Sequence, residues 1–291
     1  MGLILPNGPS WAYYSHNIAA ALPASGTATF GTAVLSGTSS ADGSDVAILS
    51  ALSHDAEYLR LLFSSNPTSG VDNNALMDIL IDPAGGTSWS VLIPSLGVAG
   101  LTQVFTGGAA PQPPSGGYDF PIWIPAGASL GARARNAGGT AQTINVAVFA
   151  KGGNSNPASW WCGRRVSAIG IDAANSRGSS HTEGVSGSFS SWADFGSPLG
   201  EACGAVQWAV LGEHQGTFTS WTARGHQFEF GVGGARYGGP VDRTLGTGEN
   251  GMWIPTGPIF HRFPAGTQFQ CRGKTAAGTA AAMSVAAYAV Y

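Results

Sequence analysis

Residues Ile124 to Ala150, IPAGASLGARARNAGGTAQTINVAVFA, lie without a gap over Phe263 to Ala289, FPAGTQFQCRGKTAAGTAAAMSVAAYA, at a constant offset of 139, and 11 of the 27 positions are identical. A repeated unit reveals the domain plan before any element is assigned. The remaining pairs often keep volume or charge: Leu130 with Phe269, Arg135 with Lys274, Ile144 with Met283, Phe149 with Tyr288. Each copy reads as a Pro-Ala-Gly turn, an alternating strand carrying Arg133 or Arg272, a Gly-Thr turn and a last strand. In Thr143 to Phe149, Ile144, Val146 and Val148 fall on one face, with Asn145 and Ala147 on the other, the period-two pattern of a half-buried antiparallel strand.

Working outward, Leu76 to Ile81 echoes Gln227 to Val232, and Ala56 to Leu59 echoes Ala205 to Trp208. Between the copies runs Lys151-Gly152-Gly153-Asn154-Ser155-Asn156-Pro157-Ala158-Ser159, polar and without periodicity, as suits a short linker. The expected organisation is all-β: two tandem antiparallel β-sandwich, jelly-roll-like domains from an internal duplication, over residues 1–152 and 161–291, joined by a linker at 153–160. Val46 to Phe63 carries apolar residues at helical as well as strand spacing. Its end, Tyr58 to Phe63, is expected as a strand, with room for a short helix before it.

Of 291 residues 43% are hydrophobic, enough for real cores, whereas only 10% are charged and glycine fills 44 positions. That balance favours short strands and tight turns. The net charge is −3 and the 13 basic residues are scattered apart from Arg164-Arg165, which argues against a nucleic-acid partner. Apolar runs fall short of the roughly 20 residues needed to span a bilayer. Met1 to Pro6 lacks the basic n-region and long apolar h-region of an export signal, so synthesis in the cytoplasm without membrane insertion is expected. Cys162, Cys203 and Cys271 are odd in number and without framework or zinc-knuckle spacing, which predicts reduced, mostly buried thiols.

No catalytic pattern stands out. Glu183, Asp194, Glu201, Glu213, Glu229, Asp242 and Glu249 contain no pair that spacing identifies, Glu213-His214 lacks the second histidine of a zinc helix, and no nucleophile elbow occurs. The chain is therefore expected to be non-enzymatic, with no metal and no cofactor. Binding candidates are aromatic. Trp89 and Tyr118, the latter closing a long Gly/Pro-rich connection, are positioned to stack on a sugar ring or to plug the end of the sandwich. Trp192 and Trp221 stand in Ser/Thr/Gly-rich surroundings suited to stacking or subunit contact. Matching Trp123-Ile124-Pro125 to Trp253-Ile254-Pro255 leaves nine residues, Thr256 to Pro264, as an insertion whose Phe260, His261 and Arg262 form either a contact surface or a packed loop.

Three segments carry a family resemblance: Gly37 to Ser44 (GTSSADGS), Asp78 to Pro94 (DILIDPAGGTSWSVLIP) and Phe120 to Gly127 (FPIWIPAG). They resemble virion proteins of tailed bacteriophages and gene transfer agents, a group of tandem β-sandwich proteins. The likeness covers the first domain well and the second more weakly, since Asp82-Pro83-Ala84-Gly85-Gly86-Thr87-Ser88 has no counterpart near Gly231 to Pro240. It implies a homo-oligomeric protein of the particle surface (head spike, fibre or tail-fibre component, or capsid decoration) whose partners are other virion proteins, copies of itself and host surface polysaccharide. It brings no catalytic residues. A polysaccharide-degrading enzyme and a free lectin-like module remain the rival readings.

Overall fold

A computed structural model describes residues 12–15, 31–65, 74–99, 117–136, 141–152, 161–171, 178–213, 225–244 and 254–291. The expected linker at 153–160 lies outside them, as do Trp221 and Trp253. The described residues form strands and turns, with no helix among them, including over 46–63 where a short helix was allowed.

In the first half the strands are β1 (Ala12–Ser15), β2 (Thr32–Leu35), β3 (Val46–Leu49), β4 (Ala56–Ser65), β5 (Asn74–Asp82), β6 (Ser90–Ala99), β7 (Gly117–Phe120), β8 (Ser129–Asn136) and β9 (Thr143–Gly152). One sheet runs β1-β9-β4-β7 with β2 also on β9, and the other runs β3-β8-β5-β6. Strands 2 to 9 thus pair as 2 with 9, 3 with 8, 4 with 7 and 5 with 6. That is a long hairpin rolled into two sheets, the jelly roll. Alternation drives the closure. Leu59, Leu61 and Phe63 of β4 and Ile144, Val146 and Val148 of β9 point into one buried core, while Tyr58, Arg60, Leu62 and Phe149 face outward.

The second half repeats the plan with β10 (Val166–Ile169), β11 (Ser179–Thr182), β12 (Ala193–Asp194), β13 (Cys203–Glu213), β14 (Gly225–Val232), β15 (Ala235–Thr244), β16 (Ile254–Pro255), β17 (Ile259–Phe263), β18 (Phe269–Thr275) and β19 (Ala282–Val290). Its sheets are β10-β19-β13 with β16 and β17 on the outer side of β13 and β11 on β19, and β12-β18-β14-β15. The register recurs too. Ile144 pairs with Val34 and Met283 with His181, and all but His181 are fully buried. Ile79 pairs with Ala132 and Phe230 with Cys271, so the echo between Leu76–Ile81 and Gln227–Val232 is register-true. Turns recur as well: Gly37 bridges Arg135 and Gly184 bridges Lys274. A Cβ at Gly37 would come 2.2 Å from the carbonyl oxygen of Ala41, and one at Gly184 2.1 Å from that of Ser188, so both turns require glycine.

Two expectations need correction. Leu59 and Val206 are the residues that pair with Ala150 and Ala289, so the match of Ala56–Leu59 to Ala205–Trp208 is two residues out of register. More consequentially, Thr256 to Pro264 is not an insertion that the sandwich can spare. Leu59 faces Phe120 where Val206 faces Ile259, and Ala56 bridges Ile124 where Cys203 pairs with Phe263. The counterpart of Trp123-Ile124-Pro125 is therefore Arg262-Phe263-Pro264, still at offset 139, and the recurring Trp-Ile-Pro at 253–255 is a coincidence of composition. Phe263 is buried with its ring centroid 5.4 Å from Phe269 and 6.2 Å from Trp208, inside the second core.

That core packs large rings against small neighbours. Trp208 stacks on Phe230 at 5.7 Å, and a Cβ at Gly238 would come 2.8 Å from its ring. Cys203 and Cys271 are buried in the same cluster, Cys162 is half-buried, and all three are free thiols. Burial pushes the Cys203 thiol up to about 11 and Cys271 further, which makes them poor nucleophiles.

Candidate functional site

The candidate residues fall in four places. Tyr118 is not available to a sugar. It is fully buried where the halves meet, because the outer face of β13 and β19 carries small residues, Ala205, Ala209 and Ala286, over which β6 and β7 can pack. Tyr118 donates its hydroxyl to the carbonyl of Gly97 (3.0 Å), and its ring meets Tyr288 edge-on at 5.1 Å. Tyr288 donates to the carbonyl of Ser95 (3.1 Å) and accepts from the N–H of Gly97 (2.9 Å). Gln207 accepts from the N–H of Asp119 (3.1 Å) and donates to the carbonyl of Thr256. The hydroxyls of both tyrosines and the Gly97 amide are thereby matched, as burial demands. Desolvation lifts both phenols, Tyr118 well above its ordinary value and Tyr288 to about 12.

Trp89 and Trp192 lie on corresponding outer faces. The Trp89 ring covers Gly131, where a Cβ would approach to 3.2 Å, and Trp192 covers Gly231, where it would approach to 3.1 Å. Beside each sits a carboxylate held by arginine at matching register. Asp78 accepts from Arg133 Nε (3.1 Å) and lies 3.5 Å from Arg135, whereas Glu229 accepts from Arg272 Nε (2.7 Å) and Arg236 (2.9 Å). Around Glu229 the face is richer. The Arg272 guanidinium lies between the rings of Phe189 and Trp192, 4.7 Å from each. Gln270 donates to Asp194 (2.7 Å). Burial works to raise the Glu229 carboxyl, but the hydrogen bonds from Arg272 and Arg236 outweigh it and hold the group below its ordinary value. An aromatic ring beside charged donors and acceptors offers the stacking face and the hydrogen-bonding groups that a polyhydroxylated ligand uses.

Phe260, His261 and Arg262 come together in a groove of about 570 Å³ whose other walls are Trp161, Tyr291 and the Ala202–Gly204 backbone. Trp161 lies so close on Gly204 that a Cβ there would come 2.2 Å from its ring. The rings of His261 and Tyr237 meet at a tilt with centroids 5.0 Å apart, and Arg165 covers Tyr291 at 4.6 Å while pairing with Glu201. Trp161 (44% exposed), Phe260 (40%) and Tyr237 (39%) are half of the six exposed large hydrophobic residues among the described residues, and they gather on this one rim. Trp161, Tyr237 and Tyr291 were not among the residues expected from sequence to form a site. Their only linear signal is the Trp160-Trp161 pair. Trp221 lies outside the described residues. No group of three or more potential metal ligands occurs among the described residues, nor any helix long and apolar enough to cross a membrane.

No known family matches the chain, and no curated protein does. Among solved structures, it is similar to PNGF-II at TM-score 0.33 and 12% identity, covering 96% of this chain and 65% of that one; in a second crystal form of PNGF-II the shares are 84% and 59%. It is similar to the major capsid protein P2 from bacteriophage PM2 at TM-score 0.33 and 9% identity, covering 97% and 98% of the two chains. It is also similar to a protein of the infectious bursal disease virus particle at TM-score 0.25 and 8% identity, covering 83% and 56%. The chain spans less than two thirds of PNGF-II. None of these likenesses assigns a residue, so the reading of each site rests on its own geometry.

Proposed function

We propose that the chain is a structural protein of a virus particle surface, a spike or fibre component that contacts host surface glycans or supports the component that does. The observation that carries the structural part is the seam: two jelly rolls share buried tyrosines with fully matched hydrogen bonds, which makes a stiff two-lobed body instead of two beads on a string. The resemblance of Gly37–Ser44, Asp78–Pro94 and Phe120–Gly127 to phage and gene-transfer-agent virion proteins supports placing that body on a particle. The glycan part belongs to the Trp192 face, where a half-buried ring adjoins Glu229, Arg236, Arg272, Asp194 and Gln270. We read the chain as non-enzymatic, since Glu229 and Asp194 are already committed to arginine and glutamine partners. Two measurements test the proposal. Labelled antibody against the chain should decorate intact particles, and purified protein should be retained by host envelope polysaccharide in a manner lost in Trp192→Ala. Decoration without retention would reduce the role to capsid or tail decoration. New reducing ends released from the polysaccharide would make the chain an enzyme.

A further inference from the structure

We infer that copies of this chain associate head to tail, through the two surfaces that correspond by register to those joining the two sandwiches within one molecule. Inside the chain, the first sandwich offers an edge and the second offers a sheet face. The edge is β7 and the segment after it: the N–H of Gly163 donates to Pro121 (2.9 Å), that of Trp123 donates to Gly163 (2.7 Å), and the Arg164 guanidinium covers the Trp123 ring at 4.9 Å. Pro121 and Ile122 are consequently buried. The sheet face is the outer side of β13 and β19, where Ala205, Gln207, Ala209, Tyr288 and Val290 are buried or nearly so against the first sandwich.

Because the fold recurs, each half also carries the other half's part. The register equates Phe260-His261-Arg262 with Pro121-Ile122-Trp123, but in the second sandwich all three are exposed and border the aromatic groove. The register likewise equates Tyr58, Arg60, Leu62 and Phe149 on the outer face of β4 and β9 with Ala205, Gln207, Ala209 and Tyr288. There Tyr58, Leu62 and Phe149 are only half-buried and Arg60 is exposed. Among the described residues, one molecule thus presents an exposed edge at its second sandwich and a partly exposed sheet face at its first. These correspond by register to the two sides of an interface that the same chain already builds internally, with Tyr58 and Leu62 standing where Ala205 and Ala209 stand there. Exposed aromatic and aliphatic side chains on both sides give it the anchors that association requires. The occupant of each surface is therefore a second copy, and the contact is heterologous: it closes into a ring if the rotation allows and runs on as a filament if it does not.

The test uses the full chain in sedimentation velocity over a wide concentration series, with circular dichroism to establish folding. Wild type should assemble beyond a dimer. Phe149→Glu on the sheet face and Phe260→Glu on the edge should each raise the concentration for half-assembly about tenfold or more. The milder pair Phe149→Thr and Phe260→Ser should do so in part if either charged variant folds poorly. The discriminating step is mixing. Each single variant retains one intact surface, so the two together should form a one-to-one dimer that grows no further. A wild-type chain that stays monomeric at all concentrations overturns the inference, as does a mixture with no heterodimer or assembly that survives both variants. The outcome is independent of glycan retention, which reads the Trp192 face alone.

Discussion

Replacing Tyr288 with Phe removes one oxygen from the middle of the seam and leaves every ring contact in place. In the wild type that oxygen receives the N–H of Gly97 and donates to the carbonyl of Ser95, at a site with no solvent access. The variant leaves the Gly97 N–H buried without an acceptor, since the neighbouring Tyr118 hydroxyl is already directed at the Gly97 carbonyl. A buried amide deprived of its partner costs about 1–3 kcal/mol, with the ring's own burial unchanged. For a chain of this size roughly 2 °C of melting temperature corresponds to each kcal/mol. A fall of about 2–6 °C is therefore expected in calorimetry, with a matching shift of the urea midpoint at constant slope. Linkage gives a second signature. Burial raises the Tyr288 phenol to about 12, above its unfolded value of 10, so the stability tied to the neutral hydroxyl is complete below pH 10 and is lost as pH rises towards 12. Tyr288→Phe should be less sensitive than wild type over that interval. A variant as stable as wild type at neutral pH, with the same alkaline profile, would refute the hydrogen-bonded seam.

Phe263→Ala empties a site enclosed by Trp208 and Phe269 and should cost about 3–5 kcal/mol. Deleting Thr256 to Pro264 should abolish folding of the second sandwich, and an unchanged unfolding midpoint in either variant would put the segment back outside the core. Burial lowers the pKa of His181 below its ordinary 6.5, so the folded state favours the neutral ring, and stability should decline as pH falls below 6.5. His181→Val, which restores the residue found at the corresponding Val34, should flatten that decline, and an identical slope would assign it elsewhere. In thiol titration of the native protein Cys162 alone should react promptly, with Cys203 and Cys271 appearing on denaturation; three fast thiols would contradict their burial.

The gapless match of 124–150 to 263–289 was sufficient to read the class, the last two strands of each half and their inward faces. The reason is that period-two burial leaves its mark directly on residue type. Leu76–Ile81 against Gln227–Val232 was legible for the same reason, Asp78 and Glu229 included. What failed did so where pairing, not pattern, decides equivalence. Trp253-Ile254-Pro255 copies the letters of Trp123-Ile124-Pro125, yet Arg262-Phe263-Pro264 occupies the matching rungs, because a ladder counts hydrogen bonds and is indifferent to which side chain points outward. Tyr118 stayed open between sugar stacking and plugging for a related reason: its strand is an edge within its own sandwich and becomes interior only when a second sandwich lies across it. Phe260, His261 and Arg262 were found through a mistaken alignment and still proved to share a groove. Their company of Trp161, Tyr237 and Tyr291 comes from three distant parts of the chain, a juxtaposition that linear spacing does not record.

The seam also orders assembly in time. Gly97 and Tyr288 are 191 positions apart, and Tyr288 sits on β19, the central strand of its sheet. The first jelly roll can close every one of its own ladders during synthesis, yet the amide of Gly97 waits for a phenol that emerges only when β19 is made. Until then the flank of β6 and β7 that will carry Tyr118 and Phe120 inward stays an unfinished, sticky surface. Contacts of such long range slow the search for the native state, and they also tie the two lobes into a single cooperative unit. A nascent chain whose first lobe closed before β19 was made would expose that flank, and crowding with sister chains would be most hazardous then.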